Sequence, residues 1–406
     1  MADSAQTPNE NNEEIYQENE NCDVVIDGNP EEEEMPDDSA ITFFHQDAAY
    51  CVAFRTQPLP KLQKYTGGVA FASGGGDDKA VLYHLYTGGD ISTFELLGHE
   101  DSINVIKFSH NGGVVATGDL KGVIILWNAL NGQKYKKLVG PGEDESIEWI
   151  SFCPTAPTLI AGVSSGLIWM WNLKTGNCTN VFSQHNGSVT CGGFSPDGKE
   201  IWSAGEDQVL KIWSVGSGCP TSQTKGLQFH HEPIISGCLS PNGALIATGD
   251  ISGIVKICRF DGGKILGNMD NGKNSIECIA FSPDNKWVAT ASMGCAATVW
   301  NPIDFQLRHA LQHPGGVTTL KWHPKRPYIV TGCTDGSIRV WDARNGHLLK
   351  EMSGHRNVIT AIDVRAVDGS DGDLMIISSS EDTSVKVWSF EEAEIKRNAT
   401  ETFIEE

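Results

Sequence analysis

The chain has 406 residues and a formal net charge of −22, and the acidity is concentrated at its two ends. Residues 1–40 hold fourteen Asp or Glu and no Lys or Arg, residues 391–406 hold six acids against Lys396 and Arg397, and the stretch between carries 28 basic against 32 acidic side chains. Sparse, unclustered basic residues without aromatic interleaving argue against direct nucleic-acid binding, and eleven scattered cysteines with no Cys-x-x-Cys pair offer neither a disulfide framework nor zinc-ligand spacing.

No signal-peptide pattern opens the sequence, and no apolar run approaches the roughly 18 residues that a membrane span needs. Scattered thiols read as small buried hydrophobes in a reducing compartment, so a cytoplasmic location is expected, with a nuclear fraction as the alternative. The Asn-x-Ser/Thr patterns at 177–179 and 186–188 are incidental in such a chain.

In chain order, composition first sets off residues 1–39, an acidic leader containing EEEEMPDD that is expected to be disordered. AITFFHQD at 40–47 then reads as a strand followed by a His. Eight related segments follow: GGGDDKAVLYHL with Tyr83, ATGDLKGVIILWN with Trp127, AGVSSGLIWMWNL with Trp171 and SAGEDQVLKIWSV with Trp213, then GDISGIVKICRF with Cys258, SMGCAATVWNP with Trp300, TDGSIRVWDARNG with Trp341 and SSSEDTSVKVWSF with Trp388. These anchors recur every 41 to 47 residues. The units are rich in β-branched residues and punctuated by Asp-Gly, Asn-Gly and Pro-Asp turns, which predicts strands rather than helical repeats.

A second landmark precedes several anchors. His99, His185 and His313 each lie 28 residues before their Trp, and His355 lies 33 before Trp388, where Asp-Gly-Ser-Asp-Gly-Asp at 368–373 reads as a loop insertion. One member of His230-His231 is the corresponding landmark of its unit. A period of this length with Gly-His and Trp-Asp signatures resembles the WD40 family, whose unit is a four-stranded propeller blade. The resemblance implies an all-β fold, a single WD40 β-propeller over residues 40–390; the eight anchors count eight four-stranded blades, and composition sets off an acidic tail at 391–406. AITFFHQD resembles LKEMSGHRN at 349–357, so residues 41–44 are expected to supply the outer strand missing after Trp388 and to close the ring without an open edge.

Polar residues at fixed offsets divide into two groups. His185, Ser203, Asp207 and Trp213 share one unit, His313, Thr331, Asp335 and Trp341 a second, and His355, Ser378, Asp382 and Trp388 a third. A Ser-His-Asp set invites a hydrolase reading, but catalysis needs its constellation once, whereas a buried hydrogen-bond network is useful in every blade. No catalytic residue, metal site or cofactor is expected: Gly74-Gly75-Gly76 lacks phosphate-loop spacing, and His230-His231 lacks metal-ligand partners. The second group lies where turns and inner strands meet at one face of a propeller. Glu206 and Glu381 stand seven residues before their anchors, Glu148 and Glu277 twenty-three before theirs, and Asp101 in the approach to the second unit. Carboxylates around one rim would favour a cationic ligand.

A narrower resemblance rests on several blocks in order: DDSAITFFHQDAAYCVAF, GGGDDKAVLYHL, IEWISFCPTAPTLIAGVSSGLIWMWNLKTGNC, NSIECIAF and LRHALQHPGGV. These are similar to the angio-associated migratory cell protein family, whose fungal counterpart is a dedicated chaperone of one large-subunit ribosomal protein. The insertion RTQPLPKLQKYTGGV at 55–69 departs from the family pattern, and the leader matches in acidity only. A monomer is expected. The resemblance implies capture of a basic ribosomal-protein segment on an acidic face, with Glu148, Trp149 and Glu277 in blocks that match the family. Trp149 has two readings, a cation–π platform for the ligand or a packing residue. The leader either enriches basic clients or competes with them for the face. The rival function is a signalling or cytoskeletal scaffold in cell migration, docking folded protein partners through apolar anchors.

Overall fold

The computed structural model describes residues 36–60, 67–142, 144–219 and 229–393. Within them the chain forms eight antiparallel sheets, seven built from consecutive strands in a simple meander and the last completed by the first described strand. The innermost strands, in ring order, are Ala49–Phe54, Ile103–Phe108, Ile147–Phe152, Cys191–Phe194, Ile234–Leu239, Ile276–Phe281, Val317–Trp322 and Ile359–Ala366. The eight sheets form an all-β propeller of four-stranded blades around a central channel. In blade four the described residues supply the three inner strands, and the segment that follows them falls outside the described residues.

All eight anchor positions fall on the third strand of their blades, including Tyr83 on Ala80–Tyr86 and Cys258 on Ile254–Arg259. The anchors share one role because this strand is flanked on both sides within the sheet and faces both neighbouring blades. Position rather than the indole is therefore repeated. Cys258 and Tyr83 are 0% and 2% exposed, much as Trp171 and Trp213 are.

A four-stranded sheet has two faces and can bury neither alone. The core accordingly divides into eight apolar clusters, one at each interface between neighbouring blades. Ile103 and Trp127 of blade two pack with Leu82 and Leu96 of blade one; Trp388 and Phe390 of blade eight pack with Tyr328 and Val340 of blade seven. The last cluster joins Ile377, Val385 and Val387 of blade eight to Val52, Phe71 and Tyr83 of blade one. It is the contact that turns a row of blades into a ring.

That contact depends on the first described strand. Ile41–Phe44 pairs antiparallel with Ser384–Phe390, Ile41 opposite Val387 and Phe44 opposite Ser384, as the outer strand of the last blade. Phe43 projects inward to within 4.3 Å of the Tyr83 ring centroid, whereas Phe44 is 72% exposed. Residues 36–39, grouped with the acidic leader by composition, add to this closure: Asp38 exchanges hydrogen bonds with Ser353 and Asp37 pairs with Lys386. The rest of the leader, and all but residues 391–393 of the acidic tail, lie outside the described residues.

Closing a ring through one strand gives that strand a large effect on cooperativity. Phe43→Ala should lower unfolding free energy by about 2 kcal/mol through lost packing against Tyr83 and Phe71, while Phe44→Ala stays within about 0.5 kcal/mol of the parent. Urea unfolding of both variants measures the difference, and equal midpoints would contradict closure by this strand.

Candidate binding face

His185, Ser203, Asp207 and Trp213 meet inside blade four. His185 Nδ1 lies 2.9 Å from Asp207, His185 Nε2 lies 2.8 Å from Ser203 Oγ, and Trp213 Nε1 donates to that hydroxyl oxygen at 2.8 Å. A neutral imidazole with its proton on Nδ1 satisfies every member: indole to hydroxyl, hydroxyl to Nε2, Nδ1–H to carboxylate. Burial raises the Asp207 carboxyl, but hydrogen bonds from His185 and from the Asn186 and Val209 amides outweigh it and leave Asp207 below its ordinary value.

The same arrangement joins His355, Ser378, Asp382 and Trp388 in blade eight. It recurs with His99, Thr117, Asp119 and Trp127 in blade two. Blade one substitutes the Tyr83 hydroxyl for the indole, and blade five uses His230 with Asp250 and Thr248. Recurrence at one place in blade after blade gives the set a packing role.

Blade seven corrects one expectation. His313 keeps Thr331 and Trp341 in its network, but its Nδ1–H donates to the Leu311 carbonyl at 2.7 Å rather than to Asp335. Asp335 is drawn away by Arg339, a guanidinium only 4% exposed, at 2.9 Å. A buried cation needs an anion more than a neutral imidazole does. Without a carboxylate partner, burial pushes the His313 imidazole down to about 4.

This has a stability consequence of definite sign. The unfolded chain protonates His313 near pH 6.5, while the folded chain resists until about 4. Its contribution to folding is therefore intact above pH 6.5 and declines as pH falls through that window, by on the order of 3 kcal/mol. In blade six Asn271 stands in the landmark's place, accepting from Trp300 Nε1 and Thr298. His313→Asn, which copies it, should flatten the acid slope between pH 6.5 and 4 in thermal unfolding; an unchanged slope would contradict the assignment.

One end of the channel is marked by two rings of homologous positions. In every blade the turn after the second strand donates a backbone hydrogen bond to the segment just ahead of the inner strand, from Gly76 N to Ala48 O around to Glu381 N to Val358 O, at 2.8–3.3 Å. The donors are Gly76, Leu120, Ser164, Glu206, Ile251, Met293, Thr334 and Glu381. Next to them, at the start of the inner strands, stand Tyr50, Asn104, Glu148, Thr190, Ile235, Glu277, Thr318 and Thr360. Glu206 and Glu381 thus share one ring, Glu148 and Glu277 the other, and Asp101 is adjacent to Ser102, whose carbonyl accepts from Leu120.

The inner ring has a structural duty that separates its members. Asn104, Thr190, Thr318 and Thr360 each donate a side-chain hydrogen bond to the first carbonyl of the next blade's inner strand, those of Ile147, Ile234, Ile359 and Ala49, at 2.6–2.7 Å. In blades one, three and five the seam is bridged one residue further along instead. Cys51 Sγ reaches Ile103 O, Trp149 Nε1 donates to Val189 O at 2.9 Å, and Ser236 Oγ to Ile276 O at 2.5 Å. In blade six Glu277 accepts from Ser275 Oγ. A carboxylate has no hydrogen to give the seam. Glu148 is compatible with this fold because Trp149 performs that duty beside it.

Trp149 is therefore a packing residue. It is 8% exposed, and its indole lies against Gly162 and Gly192, where an added Cβ would come within 2.1 and 2.4 Å of it. It is a wedge between blades three and four, unavailable as a platform for a ligand cation.

The carboxylates are brought together unequally. Burial raises the Glu148 carboxyl above its ordinary value; a hydrogen bond with Ser146 opposes this, and the charge of Glu206 adds to it. Glu148 and Glu206 thus form one electrostatic unit across blades three and four. Glu277, Glu381 and Asp101 stand at the same end in blades six, eight and two. Deeper in the channel the sign reverses. Lys107 and Lys321 occupy equivalent positions on the inner strands of blades two and seven, and the Lys321 charge, followed by burial, holds Lys107 below its ordinary value while Asp363 opposes. The mouth is acidic, whereas the equivalent interior ring carries Lys107 and Lys321 against Asp363.

Reading charges alone missed Tyr50, Leu120, Ile235, Ile251 and Met293, which occupy the same two registers as the acids. The offset from the anchor that found Glu206 also picks out Leu120, Ile251 and Met293.

Known proteins agree with this architecture. The model for WD40, "WD domain, G-beta repeat", matches residues 90–128, 176–214, 263–301, 305–342 and 346–389. The human angio-associated migratory cell protein is 31% identical over 338 residues, 79% of this chain and 74% of that protein. An uncharacterised WD repeat-containing protein of Schizosaccharomyces pombe is 34% identical over 325 residues, 76% and 80% of the two chains. Among solved structures, Sqt1 of Chaetomium thermophilum, bound to the N-terminus of the ribosomal protein L10, superposes with a TM-score of 0.73 at 23% identity, covering 87% of this chain and all of that one. Sqt1 of Saccharomyces cerevisiae gives 0.75 at 20% identity, covering 88% and 100%. At those identities the structural likeness speaks for the fold. The relatives go further, and on them this chain belongs to the WD40-repeat family and, within it, to the family of the angio-associated migratory cell protein.

Proposed function

We propose that this protein is a non-catalytic chaperone that captures the basic N-terminal segment of a newly made large-subunit ribosomal protein on the acidic mouth of its propeller, in the cytosol, and so supports ribosome assembly. The observation that carries this reading is the relocated seam bond beside Glu148. The fold gives position 148 no structural task, Trp149 having taken it over, and a carboxylate stands there despite burial and the nearby charge of Glu206. Such a group gains from a cationic partner what it loses to its surroundings.

Sqt1 with the L10 N-terminus supplies the client class by likeness of fold. A nascent basic segment is attracted to RNA phosphates; a rim of carboxylates competes by offering the same sign of charge, and the lysines deeper in the channel confine the cation to the mouth. Glu148, Glu206 and Glu277 are the proposed contacts, with Glu381 and Asp101 adding long-range attraction.

Glu148→Lys combined with Glu277→Lys should weaken binding of a synthetic L10 N-terminal peptide roughly 100-fold or more, with the unfolding midpoint unchanged because neither side chain bridges a seam. Undiminished binding by this variant would sink the proposed face.

The raised Glu148 carboxyl adds a second expectation. The free protein holds a proton there at a pH where ordinary carboxyls have lost theirs, and a bound cation expels it. Binding in mildly acidic buffer should release protons, read as a buffer-dependent enthalpy in calorimetry, and Glu148→Gln should abolish that part. Equal enthalpies in buffers of different ionisation heat would contradict the placement of a ligand cation at Glu148.

A further inference from the structure

The acidic mouth is not uniformly polar. In ring order, blade three presents Glu148, blade four Glu206, blade five Ile235 and Ile251, and blade six Glu277 and Met293. Ile251 and Met293 are each 42% exposed, and Ile235 is half-buried beside them. The fold does not call for apolar residues at these places: the homologous positions of blades three, four and seven hold Ser164, Thr190, Thr318 and Thr334. Met293 lies over Gly316, where an added Cβ would come within 2.9 Å of its Sδ, so its thioether is held against the next blade at the face. A single exposed aliphatic residue needs no explanation. An apolar pair on adjacent blades, with Glu206 on the preceding blade and Glu277 on the same blade as Met293, has the layout of an anchor pocket with a charged rim.

Resting on the reading above, we propose that the captured segment carries an apolar side chain among its basic residues, and that Ile235, Ile251 and Met293 receive it while Glu148, Glu206 and Glu277 take the neighbouring cations. Charge then attracts many basic chains, and the apolar pocket chooses among them. Electrostatic attraction falls with salt, whereas the apolar contribution persists.

The test uses the full chain and two synthetic peptides of equal positive charge, Arg-rich and identical except that one has Leu and the other Ser at two adjacent central positions. The Leu peptide should bind roughly tenfold tighter or better, and the ratio should survive raised salt. Ile251→Ser with Met293→Ser should erase the ratio and leave the affinity for the Ser peptide unchanged; Leu120→Ser, in the same ring across the mouth, should leave the ratio intact. Equal affinity of the parent for the two peptides overturns the inference while leaving the acidic face standing. Binding of neither peptide at low salt overturns the acidic-face reading and this inference with it.

Discussion

The constraint on which everything else depends is that no blade can bury its own two faces. Each apolar cluster is shared by two neighbours, so a row of blades ends in two exposed apolar faces unless it closes. Closure is made by Ile41–Phe44 on Ser384–Phe390, with Phe43 turned into the cluster shared by blades eight and one. The first and last described strands are thereby tied together, and the remaining seven interfaces are held in register by the ring itself.

The same requirement explains where function has room. Adjacent inner strands meet at seams around the channel, and each seam must satisfy backbone carbonyls that are turned away from their own sheet. In blades two, four, seven and eight an Asn or Thr at the mouth does so directly. In blades one, three and five the bond moves one residue inward, to Cys51, Trp149 and Ser236, releasing Tyr50, Glu148 and Ile235 from structural work. The distinctive surface chemistry of the mouth is found at such released positions, at Glu277 of blade six and at the neighbouring ring of turns. Scaffold and recognition share a register but are divided among different residues.

Much of this was legible in the sequence. The anchors placed every third strand, including the two that lack Trp, because the repeat fixes position while tolerating Cys258 or Tyr83 at the core. The closing strand was readable from the likeness of AITFFHQD to LKEMSGHRN. Three features were not. Arg339 takes Asp335 from His313, a competition that depends on burial and cannot be inferred from an offset. Trp149 fits a cation–π role by type, but its ring is turned into the wedge between blades three and four, a direction that residue type does not reveal. Ile251 and Met293 share the offset of Glu206, but an apolar residue at that turn carries no charge to mark it in the sequence.

The central claim is that the acidic mouth binds a basic segment. Calorimetric titration of the unmodified full-length protein with the L10 N-terminal peptide at about 50 and about 300 mM salt tests it most directly. The account predicts one-to-one binding that weakens by roughly an order of magnitude or more at the higher salt without vanishing, since the apolar contribution remains. No binding at either salt, or an affinity indifferent to salt, would contradict it.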